Sequence, residues 1–253
     1  MHMGIKDRRT KILLSLILLS NNEYNYITFS PDILTIFDLT LNRKTISSFK
    51  KMAKDGLIEE QTSSTLEKPV YRLTDAGFKD LALTFPLFRY LHQKWDNIWR
   101  IMSYEIPEKK RELRDRLRRE VASWGLGPWH RSFWLTPHPI IPQLSELISA
   151  EEKGYIQAFE STHAFGDQDI LIEKVWGRSQ LEKKYRRLFM KWHDILSKED
   201  EKPKKMKLIV NEYIELLKVD PGLPKELLGE KWIGFEAITL FKEIRNILLP
   251  KNI

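Results

Sequence analysis

The segment Trp99–Pro137 constrains the fold more than any other, because its apolar pattern changes from the period of a strand to that of a helix. Residues Ile98–Tyr104 alternate and are rich in side chains that favour strands. Pro107 then suits the first turn of a helix, and Glu108 places a negative charge near the helix N-terminus. One narrow apolar stripe follows at helical spacing, formed by Leu113, Leu117, Val121 and Trp124.

The same segment predicts a second strand after the helix. Gly125 and Gly127 end the helix, and the run Trp129–Leu135 alternates again after Pro128. Its two sides would carry Trp129, Arg131, Phe133 and Leu135 on one face and His130, Ser132 and Trp134 on the other. Strand, helix and strand form half of a βαββαβ unit. We therefore expect an α+β chain with a ferredoxin-like central domain.

The first third of the chain predicts a winged helix-turn-helix. Residues 5–20 form one amphipathic helix, Ser30 and Pro31 open a second, and a third runs from about Asn42 to Lys54. The predicted buried stripe of the third helix is Ile46, Phe49 and Met52. Two short strands, Leu57 to Ile58 and Val70–Leu73, follow with a polar tip between them, and Thr74 caps a closing helix.

The third predicted helix is the candidate DNA-contacting element, because it has five cations and no acidic residue before Asp55. Short hydroxyls and long cations reach base edges and phosphates when a helix enters the major groove. A solvated helix face is the alternative. The wing contributes Glu59, Glu60 and Glu67 but only Lys68 and Arg72 as cations. The candidate DNA contacts are Arg43, Lys44, Thr45, Ser47, Ser48, Lys50, Lys51 and Lys68.

Composition limits the other function classes. The 253 residues have a net charge of +7 and no cysteine, which excludes disulfides and thiolate metal sites. Basic residues before Ile12–Leu19 mimic a secretory signal, but that apolar run is short and no cleavage site follows. No stretch reaches the roughly 20 apolar residues of a membrane span. We expect three domains: 1–85 winged helix-turn-helix, 86–175 ferredoxin-like, and 176–253 α-helical.

Three stretches resemble the phenylacetate-catabolism repressors of the PaaX family. They are IMSYEIPEKKRELRDRLRREVASWGLGPWHRSFWLTP (Ile101–Pro137), VWGRSQLEKKYRRLF (Val175–Phe189) and DPGLPKELLGEKWIGFEAITLF (Asp220–Phe241), in the family's order. The resemblance implies a cytoplasmic, non-enzymatic repressor without a cofactor. It also implies a homodimer that binds a palindromic operator in double-stranded DNA and releases it when an acyl-CoA effector binds. It assigns no effector-binding residues here.

The central domain of that family is similar in turn to the CRISPR adaptation nuclease, which supplies a second hypothesis. In that nuclease an aspartate after the first-strand tyrosine helps to hold a catalytic metal. Here Glu105 follows Tyr104, and its longer side chain alters the metal distance. The resemblance leaves open a second function, a metal-dependent nuclease or another CRISPR-linked nucleic-acid-binding protein. The simpler interpretation of Glu105 is that it caps the helix that follows. A third hypothesis is a winged-helix adaptor that binds protein.

Overall fold

A computed structural model describes residues 5–20, 24–62, 68–91, 94–150 and 152–249. Within these residues it contains helices and two antiparallel sheets, so the expected α+β class is confirmed at that level. The helices are α1 (Arg8–Leu19), α2 (Pro31–Ile36), α3 (Arg43–Lys54), α4 (Asp75–Thr84), α5 (Arg111–Ser123), α6 (Ile141–Leu147), α7 (Gln168–Trp176), α8 (Arg178–Ser197), α9 (Lys202–Leu217), α10 (Lys225–Leu228) and α11 (Ile233–Leu248). The strands are β1 (Ile27–Thr28), β2 (Ile58–Gln61), β3 (Val70–Leu73), β4 (Trp99–Tyr104), β5 (Gly127–His130), β6 (Phe133–Thr136) and β7 (Ile156–Ser161), and 3-10 turns cover Pro86–Leu91, Glu108–Lys110 and Glu152–Tyr155.

The chain divides into two compact units that do not follow the chain order. The first unit holds the described residues of Met1–Ala82, Tyr185–Leu216 and Ile233–Ile253. The second holds those of Leu83–Lys184 and Leu217–Trp232. Helix α11 and nearly all of α9 therefore belong to the same unit as the N-terminal segment, while α8 contributes residues to both.

Side-chain caps set the starts of the first three helices. Asp7, Ser30 and Asn42 each accept a hydrogen bond from the backbone amide three residues later, at 2.7, 3.2 and 2.9 Å. Such a cap satisfies an amide that has no partner inside the helix. The predicted start of α2, with a serine cap followed by proline, is confirmed.

A three-stranded sheet of order β1-β3-β2 follows these helices in the first unit. Thr74, directly after β3, donates its hydroxyl to the Gly56 carbonyl at 2.7 Å and accepts from the Gly77 amide at 3.1 Å. It therefore joins the residues that follow α3 to the start of α4, as the sequence predicted for a cap. The predicted tip between β2 and β3 falls partly on residues 63–67, outside the described residues.

Two of the three residues predicted to be buried on α3, Phe49 and Met52, are buried, and the third differs from the prediction. Thr45, Phe49 and Met52 point into the core, whereas Ile46 is 43% exposed. Positions i, i+4 and i+7 form one helix face as well as i, i+3 and i+6 do, so periodicity alone allows both stripes. The prediction that Ile46 is buried is wrong, and the small Thr45 occupies that place instead.

The C-terminal helices of the first unit pack around aromatic side chains. Trp192 on α8 contacts Tyr213 on α9 with ring centroids 5.4 Å apart, and Tyr213 lies 5.0 Å from Phe241 on α11. All three are almost fully buried. Helix α9 begins at Lys202, inside the charged segment Glu199–Lys205. Lysines have good helix propensity, and Met206 directly behind them is buried in the unit.

The second unit contains a four-stranded sheet of order β5-β6-β4-β7, with every neighbouring pair antiparallel. Its elements follow the chain order strand, helix, strand, strand, helix, strand. The single strand predicted at Trp129–Leu135 is wrong, because the chain reverses there into the β5–β6 hairpin. Arg131 adopts a positive φ of 42° at that turn. An alternating pattern cannot distinguish one strand from two short strands across a tight turn.

One side of this sheet carries a hydrophobic cluster of the second unit. The residues of this cluster are Met102, Tyr104, Ile106, Leu117, Val121, Trp124, Leu126, Trp134, Ile140, Leu144, Ile148 and Ile156. Part of the predicted α5 stripe, from Leu117 to Trp124, is therefore confirmed as buried, and Leu113 is partly buried beside it. Helix α7 packs closely against β5, where a Cβ added to Gly127 would lie 2.2 Å from Val175 Cγ1. A side chain at position 127 would therefore displace α7.

His138 is fully buried in the second unit. Its Nε2 donates to the Pro221 carbonyl oxygen at 2.8 Å. Burial lowers the pKa of His138 well below its ordinary 6.5, and the positive charges of Arg89 and Arg100 lower it further. The unfolded chain therefore binds a proton near pH 6.5 that the folded unit does not bind, so folding stability decreases as pH falls through that value.

We expect the free energy of unfolding of this unit to fall by up to about 1.4 kcal/mol per pH unit below roughly pH 6.5. Urea titrations at a series of pH values measure the slope. His138→Gln keeps a donor for Pro221 without a titratable ring, so it should flatten this part of the profile. An equally steep profile in the variant would assign the acid sensitivity to other groups.

Candidate nucleic-acid interface

The exposed side of α3 concentrates positive charge. Arg43, Lys44, Lys50, Lys51 and Lys54 are all exposed within a helix of 12 residues. No ion pair joins any of these five cations to a carboxylate among the residues that the structure describes. Since no carboxylate of the described segments neutralises them, their charges are available to a ligand.

The predicted hydroxyl contacts of α3 divide into three cases. Ser47 is exposed on the same side as Arg43 and Lys50. Ser48 is half-buried, and its hydroxyl donates to the Lys44 carbonyl at 2.9 Å. Thr45 has no exposed surface and lies in the core, so it cannot meet a ligand without unfolding of the helix. The structure thus brings six of the seven α3 candidates to accessible positions and removes Thr45.

Two exposed apolar residues beside these cations were missed by the sequence analysis. Leu41 is 60% exposed immediately before the Asn42 cap, and Ile46 is 43% exposed on α3 itself. The only available signal was that Thr45, Phe49 and Met52 satisfy helical spacing without Ile46. An apolar side chain on a cationic face adds a contact that charge alone does not supply.

The described part of the wing offers one exposed cation, Lys68, that does not pair with a described carboxylate. Arg72 is held by Glu59, with Nε 2.7 Å from Oε2, and its guanidinium lies 5.0 Å from the Tyr26 ring centroid. Tyr26 also donates its hydroxyl to Glu59 at 2.6 Å, and this hydrogen bond lowers the pKa of the glutamate. Lys68 is exposed. Glu67, the third acidic residue that the sequence assigns to the wing, lies outside the described residues.

Positive charge continues from α3 onto the start of α1. A concavity with a volume of about 450 Å³ is lined by side chains from both helices, including Arg8, Ser48 and Lys51. Asp7 and Asp55 line it as well, so its charge is mixed. This concavity extends the accessible basic surface of the first unit beyond α3.

The basic side of α5 is neutralised to a larger degree. Its ion pairs are Arg114–Glu108 at 2.8 Å, Arg111–Asp115 at 3.5 Å and Arg116–Glu152 at 2.5 Å. Lys110 lies 5.0 Å from the Tyr155 ring centroid. Only Arg118 and Arg119 remain exposed without a described carboxylate partner. These ion pairs are typical of a salt-bridged, solvent-exposed helix face.

Glu105 is exposed at the end of β4, and its backbone amide donates to the Tyr155 carbonyl at 2.8 Å. It does not cap the following helix, because neither the 3-10 turn at Glu108–Lys110 nor α5 has a side-chain cap. The capping interpretation is therefore wrong. Among the described residues no group of three His, Cys, Asp or Glu side chains is arranged to hold a metal ion.

Comparisons with known proteins place most of the chain in one family. A model of the PaaX protein central Cas2-like domain matches residues 92–171, and a model of the PaaX-like protein C-terminal domain matches residues 176–252. No curated protein matches the chain. Among solved structures, uncharacterised protein Rv0674 from Mycobacterium tuberculosis is 16% identical with a TM-score of 0.49, covering 94% of this chain and 97% of its own. Within the described segments, no helix is long and apolar enough to span a membrane.

Proposed function

Because the chain belongs to the PaaX family and has a Cas2-like central domain, we propose that it is a DNA-binding transcriptional repressor in which α3 enters the major groove. The single observation that supports this most is the set of five exposed cations on α3, none of which pairs with a carboxylate among the described residues. Family membership points to the control of phenylacetate-type catabolism. The DNA contacts that we propose are Arg43, Lys44, Ser47, Ser48, Lys50, Lys51 and, from the wing, Lys68.

The proposed domain layout is a winged helix-turn-helix at 1–85, a ferredoxin-like domain at 86–175 and a helical domain at 176–253. Three capped helices and the β1-β3-β2 sheet support the first assignment. The all-antiparallel order β5-β6-β4-β7 supports the second, since it is the order of a βαββαβ unit. Most of the proposed helical domain, Tyr185–Leu216 and Ile233–Ile253, belongs to the same compact unit as the proposed winged helix, whereas Leu217–Trp232 belongs to the other unit.

The size of α3 suits the proposed role. A helix of 12 residues is about 18 Å long, and the major groove admits an α-helix lengthwise. Phosphate contacts from the cations would fix the orientation of the protein, and side chains at the centre of the exposed face would reach the bases. A two-fold homodimer would place two such helices about one DNA turn apart, which corresponds to a palindromic operator.

Family membership also supports a small acyl-CoA-like effector that releases the repressor from the operator, in a cytoplasmic setting. We assign no residues to the effector site. Exposed basic residues such as Arg118 and Arg119 on α5 remain available for a phosphate-bearing ligand. The metal-dependent nuclease stays as an alternative, resting on Glu105 at the end of β4, the position that follows Tyr104.

The purified protein should bind a duplex from its own promoter region in a footprint with two-fold symmetry. Fluorescence anisotropy over about 50 to 200 mM salt should give a log–log slope of about −5 to −9, corresponding to six to ten phosphate contacts. A shuffled duplex of equal length is the control, and the specific footprint should be absent from it.

Binding with no salt dependence, or no footprint on any promoter fragment, would contradict the proposal. Incubation with Mg²⁺ or Mn²⁺ in the same buffer tests the nuclease. Cleavage of DNA or RNA that Glu105→Gln abolishes would favour that alternative.

A further inference from the structure

Ile46 lies on the same ridge of α3 as two cations. It follows Arg43 by three positions and precedes Lys50 by four, the spacings at which helix side chains are neighbours. The side chain is 43% exposed. Its apolar surface therefore projects from the helix between a guanidinium and an ammonium group.

Ile46 is not part of the buried stripe of α3, although more than half of its surface is covered. The core stripe of α3 is complete with Thr45, Phe49 and Met52, all buried. Isoleucine is also a weaker helix former than the lysines and arginine beside it. A helix face that served only as solvated surface would gain from a polar residue at this position. The exposed apolar area is instead available to be removed from water by a ligand.

The major groove of DNA presents one apolar group, the C5-methyl of thymine. Building on the proposed function, we propose that Ile46 contacts a thymine methyl in each operator half-site and helps to determine specificity. Arg43 is the neighbouring candidate for bidentate contact with guanine O6 and N7. Three residues of helix rise about 4.5 Å, close to the roughly 3.4 Å between base pairs. The thymine and the guanine would therefore lie in neighbouring base pairs or be separated by one intervening base pair.

Single thymine-to-deoxyuridine replacements in the footprinted operator test this contact, because deoxyuridine lacks only the methyl group. At one thymine position in each half-site, the replacement should lower the operator affinity of the wild-type protein by about fourfold. Replacing this thymine in both half-sites should lower the affinity by about fifteenfold. The Ile46→Ala variant should bind the unmodified operator more weakly and lose no further affinity at those positions. This non-additivity identifies the methyl as the partner of Ile46.

Ile170→Ala is the matched control, since Ile170 is 67% exposed on α7, outside α3. This variant should keep the wild-type deoxyuridine penalty. If the wild-type protein has no specific operator, the proposed function itself fails. If it binds an operator but no deoxyuridine position weakens it, or if Ile46→Ala keeps the penalty, only the inference about Ile46 fails. Loss of dimers in Ile46→Ala with an unchanged penalty would also overturn it.

Discussion

Replacing Arg245 with methionine is expected to destabilise the first unit by roughly 3–5 kcal/mol. The Arg245 side chain comes from α11, is 4% exposed, and donates through Nη1 to the carbonyls of Leu18, Leu19 and Ser20 at 3.3, 3.0 and 2.7 Å. These carbonyls belong to the end of α1, where helix carbonyls have no intrahelical partners. Methionine fills much of the volume of the stem but leaves the three oxygens without this donor.

The charge of Arg245 reinforces these hydrogen bonds. The carboxyl end of a helix carries partial negative charge, which a nearby cation stabilises. Burial lowers the pKa of Arg245, which reflects the cost of removing the guanidinium from water. The hydrogen bonds to the three carbonyls must offset that cost, so Arg245 can be buried only where it makes these hydrogen bonds.

Urea unfolding of the Arg245→Met protein measures this loss. Arg187→Met is the matched control, because Arg187 is exposed on α8 in the same unit. It should change stability by less than about 0.5 kcal/mol. Equal stability of Arg245→Met and the control would show that the α1 carbonyls are satisfied by water once the guanidinium is removed. Arg245→Lys should fall between the two, since one ammonium cannot reproduce the planar fork of donors.

Local chemistry made several elements of the fold predictable. Ser30 followed by Pro31 predicted the start of α2, and Thr74 predicted the start of α4. The stripe through Leu117 and Val121 predicted the buried face of α5. Each of these signals acts within about one or two helical turns, so the residues that produce it are neighbours in the sequence.

Contacts between distant residues were not predictable in the same way. Arg245 meets carbonyls more than 220 positions earlier, and no local pattern marks a buried arginine as a helix cap. The turn at Arg131 was hidden because arginine is an unusual residue at a positive φ. The grouping of α11 with the N-terminal helices also depends on tertiary packing alone.

The candidate site shows the same division between local and distant signals. The exposure of the α3 cations was predicted correctly from the sequence, because charge and helical spacing are local properties. It misassigned Thr45 and Ile46, since the choice between two adjacent stripes depends on what packs against the helix. It also counted Arg72 as a wing cation, whereas Glu59 from the paired strand engages it.

Reversing two charges on α3 should abolish specific DNA binding by the proposed repressor. Arg43→Glu with Lys50→Glu replaces two exposed cations on the ridge that carries Ile46. Each carboxylate would face phosphates or guanine acceptors, so attraction becomes repulsion at two positions in each protomer. We expect a loss of about 1,000-fold in operator affinity at low salt. Both side chains are exposed, so unfolding of the variant should match that of the wild type.

Arg118→Glu with Arg119→Glu on α5 provides the matched double reversal, because both arginines are exposed and have no described carboxylate partner. Anisotropy titrations with the same operator should give this control nearly wild-type affinity, with at most a modest change from long-range charge. The opposite result would move the DNA-binding surface from α3 to the central domain and would favour the nuclease-like alternative. Comparable losses in both variants would mean that the duplex contacts both surfaces, and the salt slope of each single reversal would then divide the phosphate contacts between them.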